Sequence, residues 1–190
     1  MQMRALIAAS AVFAQVPAVG AQTAAQPPAA AAALAGADLT TATFGDWQLR
    51  CRAAVAASAN QPAIPRTCEV IQSVLIQGQA APFAQLAFGK PTAKDPVHLT
   101  TVLPTNIAFP STVKIAVDDK DKQPVELSWT RCLPGGCFAS IATKDDFLKR
   151  WRSLEEGGRF IFKNGAGQEI IMPFSFRGLS RALDALAKEG

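Results

Sequence analysis

The chain has 190 residues, of which 49% are hydrophobic and 18% charged, enough for one globular domain with a real core. Its formal charge of +4 falls to +3 once Arg4 is lost with the leader described next. That balance is too small and too scattered for a nucleic-acid binder, whose basic residues gather in a patch or stripe.

In chain order, Met1 to Arg4 is a short basic start, Ala5 to Val19 an apolar run, and Val19-Gly20-Ala21 a set of small residues suited to cleavage. This layout predicts a secretory signal peptide over residues 1–21. No cysteine stands near the cut to accept a lipid anchor. Residues 22–38 form an Ala/Pro-rich flexible linker, and residues 39–190 a single β-rich domain. No other stretch is apolar for long enough to span a bilayer, so no transmembrane span is expected in the mature chain.

From Phe44 to Cys51 the residues alternate, with Trp47, Leu49 and Cys51 on one face and Asp46, Gln48 and Arg50 on the other, as a half-buried strand requires. Residues 52–66 read as a loop with Pro62 and Pro65. Strands follow over 68–77, 83–88 and 97–103, each closed by Gly or Pro. Val113, Ile115 and Val117 face Val125, Leu127 and Trp129 across the charged turn Asp118-Asp119-Lys120-Asp121-Lys122, which reads as a hairpin with a solvated tip. Arg131 to Cys137 is a tight reversal into a strand over 137–142.

A helix is predicted over 144–156, capped by Thr143, with Asp145 and Asp146 in its first turn and Gly157-Gly158 as its stop. Residues 159–163 and 169–174 form a second hairpin around Asn164-Gly165-Ala166-Gly167. Leu179, Ala182, Leu183 and Leu186 mark a short closing helix with one apolar face. The expected fold is mainly β: a β-sandwich or barrel-like antiparallel sheet with two short helices, stapled by disulfides.

Four stretches together resemble the invasion-associated locus B family of bacterial envelope proteins. They are Phe44-Gly-Asp-Trp47 leading to Cys51, Cys68-Glu-Val-Ile-Gln72, Arg131-Cys132-Leu-Pro-Gly-Gly-Cys137, and Gly167-Gln168 through Ile171, Pro173, Ser175 and Gly178. The chain departs from the family pattern at Phe176-Arg177-Gly178-Leu179, where a Leu-Lys-Gly-Phe run is more usual. The resemblance implies an exported protein, periplasmic or associated with the outer membrane, with a role in host-cell invasion or in the envelope itself. It brings no catalytic residues and no cofactor.

The cysteines carry the clearest chemistry. Cys51, Cys68, Cys132 and Cys137 form an even set, which in an exported chain reads as two bridges. Three pairings exist. Proximity in sequence favours Cys51 with Cys68 and Cys132 with Cys137, while cross-pairing stays open. Neither pair has the C-x-x-C spacing of a redox centre. His98 is the single histidine and lies in a strand-like setting, and the Asp118–Asp121 cluster lacks the ligand alternation of a calcium loop, so no metal site is expected. Ser180 in Gly178-Leu-Ser-Arg-Ala reads as a helix-start residue rather than a nucleophile, and the 165–167 glycines lead into a strand, not a phosphate-binding helix.

Lys149, Arg150 and Arg152, with Arg159 nearby, form the one local basic concentration. It is either the solvated face of the helix or a contact for an anionic envelope surface or acidic partner. The function expected is a non-catalytic interaction protein of the cell envelope with a protein or surface partner. The alternative is a periplasmic enzyme or small-ligand binder whose pocket the sequence does not reveal.

Overall fold

The computed structural model describes residues 39–79, 81–92 and 94–189. The leader and linker expected over 1–21 and 22–38 lie outside the described residues. Ten strands build one antiparallel sheet: β1 (Leu39–Phe44), β2 (Trp47–Arg52), β3 (Thr67–Val74), β4 (Ala84–Gly89), β5 (His98–Leu103), β6 (Thr112–Ala116), β7 (Val125–Leu133), β8 (Gly136–Ala142), β9 (Gly157–Lys163) and β10 (Glu169–Ser175). Two helices, α1 (Asp145–Arg152) and α2 (Leu179–Ala187), complete it. The spatial order is β1-β2-β3-β4-β5-β8-β7-β6-β9-β10. The architecture is mainly β with two short helices and two disulfides, as the sequence leads one to expect, and the sheet does not close into a barrel.

Alternation sets which face is buried. Trp47, Leu49 and Cys51 of β2 meet Val70 of β3, Leu86 and Phe88 of β4, and Leu99 and Leu103 of β5 in one apolar cluster. The second half of the sheet adds Val113, Ile115, Leu127, Phe160, Phe162 and Phe174. The helices cover this face. Trp151 of α1 is fully buried and packs against Phe88, Phe147, Phe174 and Phe176, with ring centroids 5.2 to 6.3 Å apart. Leu179, Ala182, Leu183 and Leu186 of α2 are the buried stripe read from their spacing.

Local boundaries differ from the sequence reading for physical reasons. The run from Phe44 to Cys51 is not one strand: Gly45, at φ +60, and Asp46 turn β1 into β2, which pair from Phe44↔Trp47 to Leu39↔Arg52. The outward-facing Asp46 kept the alternation unbroken through the turn. Thr143 does not cap α1, because its hydroxyl donates to the Val97 carbonyl (2.7 Å) and its N–H to the same oxygen (2.8 Å), extending the pairing of β8 with β5. Lys144 takes the N-cap position, with no side-chain bond. The helix ends at Ser153, whose hydroxyl donates to the Arg150 carbonyl at 2.8 Å. Gly157 and Gly158 instead open β9; a side chain at Gly158 would meet the Phe174 ring at 2.7 Å and the Ala116 carbonyl at 2.8 Å.

The two ends of the sheet are drawn together by side chains rather than by a strand ladder. Buried Gln72 of β3 donates to the Ser175 carbonyl (3.0 Å) and the Asp46 carbonyl (3.2 Å), and its Oε1 accepts from the Ser175 N–H (2.8 Å). Trp47 Nε1 donates to the same Ser175 carbonyl at 2.8 Å. The Asp46 N–H reaches the Arg177 carbonyl at 3.1 Å. β2 and β3 are thus tied to the end of β10, and the sheet curls around its aromatic core.

Candidate interaction surfaces

The cysteines pair Cys51 with Cys68 and Cys132 with Cys137, and none is free. Strand register explains both bridges. Cys51 lies directly opposite Cys68 between β2 and β3, and Cys132 opposite Cys137 between β7 and β8. The first bridge closes the 52–66 loop, in which Val55 faces Ile64 and Ser58 faces Gln61. A loop of that length stabilises the fold by about 3 kcal/mol in the chain-entropy account.

The hairpin tip between β6 and β7 is not simply solvated, as its charge suggests. Asp121 has a side chain only 3% exposed. Its carboxylate accepts from the Val117 N–H (2.9 Å), the Gln123 N–H (2.9 Å) and the Arg150 guanidinium (2.9 and 3.2 Å). Burial pushes its pKa up, but the two backbone donors and Arg150 together outweigh that and hold it below the ordinary aspartate value. A group depressed in the folded state contributes stability above its unfolded pKa, and that stability is lost as pH falls through the folded value. Asp121→Asn is therefore expected to cost about 2 kcal/mol at pH 7. Urea unfolding at pH 7 and again at pH 3 checks this, since the gap to the parent should narrow at the acid end. A gap independent of pH would remove the carboxylate's charge from the account.

The basic residues around α1 are largely answered by carboxylates. Arg150 holds Asp121 and the Gln123 carbonyl (2.9 Å). Arg152 holds Asp184 of α2 (2.6 Å) and the Ser180 carbonyl (3.2 Å). Arg159 of β9 pairs with Asp119, so the 118–121 tip receives two arginines from different elements. Lys149 is exposed and pairs with no carboxylate among the described residues.

His98 stands at the start of β5, where its Nδ1 lies 3.4 Å from the Ser140 hydroxyl. Ser180 is in the first turn of α2, and its carbonyl serves Arg152. At the second hairpin the Asn164 side-chain oxygen accepts from the Ala166 and Gln168 N–H groups (3.0 Å each), which shapes the turn into β10. A cleft of about 280 Å³ lies between α2 and the Cys68 end of β3, with Leu183 and Leu186 on its wall and the Arg66–Glu189 ion pair at its edge.

What sequence reasoning missed is the contact between Phe44-Gly45-Asp46-Trp47 and Ser175-Phe176-Arg177-Gly178. Arg177 clasps Asp46 through two bonds, Nε to Oδ2 at 3.1 Å and Nη2 to Oδ1 at 2.6 Å. The Arg177 bond, followed by that from Ser175, holds the Asp46 pKa below its usual value, and Asp46 in turn raises that of Arg177. Gly45 and Gly178, both at positive φ, let the two backbones touch. A Cβ at Gly45 would sit 2.5 Å from the Arg177 carbonyl oxygen, and one at Gly178 the same distance from the Phe44 carbonyl carbon.

The sequence model of the "Invasion associated locus B (IalB) protein" family matches residues 47–187, from the first residue of β2 to the last of α2. The chain belongs to the IalB family. Among solved structures, invasion associated protein B from Bartonella henselae superposes with a TM-score of 0.63 at 17% identity, covering 79% of this chain and 97% of that one. That likeness extends to the fold of this IalB-family chain. No curated protein sequence matches it. The Asp46–Arg177 clasp joins the turn just ahead of the matched segment to residues near that segment's end. No helix among the described residues is long and apolar enough to cross a membrane.

Proposed function

We propose that this IalB-family chain works outside the cytoplasm as a non-catalytic contact protein of the bacterial envelope, with invasion of a host cell as the family's stated association. The observation that carries the reading is the pair of disulfides between adjacent strands, in a chain that retains no free thiol. Such bridges persist in oxidising compartments and are reduced in the cytosol. The leader expected over residues 1–21 supports the same reading. The envelope and its exterior offer surfaces to a rigid, disulfide-stapled sheet.

The test is the intact mass of the protein recovered from the cell fraction that holds it, after alkylation without reductant. A periplasmic or outer-membrane fraction, a chain cut near Ala21 and no alkylated cysteine are the expected results. Four alkylated cysteines in a cytoplasmic, full-length chain would discard the reading.

We place one contact with an anionic surface at α1, through Lys149 with Arg150, Arg152 and Arg159. Three of these are already engaged by Asp121, Asp184 and Asp119, so Lys149 carries most of the attraction left over. Lys149→Glu with Arg152→Glu should abolish co-sedimentation with anionic vesicles at low salt. Unchanged sedimentation would exclude this face.

A further inference from the structure

The outward face of the sheet carries a second charged feature, unrelated to the α1 cluster. Six neighbouring strands, β2-β3-β4-β5-β8-β7, present a shallow trough of about 710 Å³. Register fixes how its residues are arrayed. One row runs Arg50–Glu69–Gly89–His98 across β2 to β5, and another runs Gln85–Val102–Phe138–Arg131 across β4 to β7. The floor between them holds Ala87 and Thr100. From β2 to β7 is five interstrand steps, or about 24 Å.

Arg50, Arg52, Lys90 and Arg131 line this trough against a single carboxylate, Glu69, which is bound to Arg50 at 2.7 Å. Arg52 is exposed and Arg131 lies over the Phe138 ring, 5.0 Å from its centroid. Neither pairs with a carboxylate among the described residues. The positive charge therefore stands at both ends of a floor on which Gly89, Ala87 and Thr100 leave room.

We propose that this trough binds an extended acidic polysaccharide, with Arg50 and Arg52 at one end and Arg131 at the other meeting anionic groups along its length. Three observations choose that class. The charge is complementary to a polyanion and spread over a distance that a compact ligand does not span. A hydroxyl on the floor and an amide at its edge, Thr100 and Gln85, are each held by one neighbour (Ser140 and Ser73) and keep hydrogen-bonding capacity for a hydroxyl-rich chain. Of the large apolar side chains in the lining, Ile71 is buried, Val102 is half-buried and Phe138 is capped by Arg131, which leaves Leu133 exposed at the β7 end and no central cluster of apolar anchors such as a protein interface uses. A flat membrane cannot enter a concave trough, and single-stranded nucleic acid needs open aromatic platforms for its bases. The proposal names a partner class for the envelope-contact reading and rests on it.

The experiment titrates a galacturonate octamer into the purified, oxidised chain at low and high salt, beside neutral maltooctaose and a polyglutamate peptide. Binding of the galacturonate alone, weakening as salt rises, is the expected result. Arg52→Ser and Arg131→Gln should each weaken it about fivefold. Lys163→Ser, on β9 outside the trough, should leave it unchanged. Both arginines are exposed, so near-ultraviolet circular dichroism should confirm an intact fold in each variant. Equal affinity for polyglutamate, parental affinity in both arginine variants, or no galacturonate binding would each overturn the proposal. Because the titration uses purified protein, its failure leaves the compartment test above standing.

Discussion

Trp151→Ala is expected to cost about 3–5 kcal/mol, a large share of the total stability of a domain this size. The indole is fully buried and touches four phenylalanines, contributed by β4, by α1 itself, by β10 and by the segment after β10. The helix that carries it has eight residues, too few to persist without tertiary packing. Truncation would leave a cavity where sheet and helix meet and would also release α1. Trp151→Phe is the informative companion. It keeps most of the ring contacts and removes an indole N–H that finds no acceptor among the described residues, so its loss should stay below about 1.5 kcal/mol. Urea midpoints of the two variants decide the matter. Similar losses in both would mean that the ring cluster is not what anchors the helix.

Gly178→Ala should be nearly as damaging, by about 3 kcal/mol, although it adds only a methyl group. The residue sits at φ +89, and the new carbon would be driven into the Phe44 carbonyl. Gly45→Ala, at φ +60, pushes from the other side into Arg177. Because both glycines serve one contact, the double variant should lose clearly less than the sum of the two single losses. Thermal unfolding of the three variants measures this. Strictly additive losses would show that each glycine serves only its own turn.

Much of the fold could be read from local pattern. The β2 alternation, the β6–β7 and β9–β10 hairpins and the apolar stripe of α2 follow from residue spacing, which acts over a few positions. The cysteine pairs were also within reach, since each partner is the nearest in sequence and the hairpin geometry sets them opposite one another. Contacts across long separations left no such trace. Asp46 and Arg177 are 131 positions apart, and nothing in either neighbourhood announces the other. Asp121 was hidden for a different reason. A tip written Asp-Asp-Lys-Asp-Lys looks uniformly hydrated, and only the approach of α1 with Arg150 gives one of its carboxylates a dry setting. Thr143 illustrates a competition between two good local uses: a hydroxyl suited to a helix start was claimed by a strand edge.

The Gln72 bridge has a bearing on the order in which the molecule comes together. Asp46, Trp47 and Gln72 find their closing partners only at Ser175 and Arg177, near the far terminus. The β1–β2 hairpin can pair over neighbouring residues at once, but the bonds that fasten it and β3 to β10 wait until the last strand is in place. Distant pairings of this kind are slow to form. The same wiring that secures the finished sheet thus makes its final fastening a late event, one that waits on residues made more than a hundred positions apart.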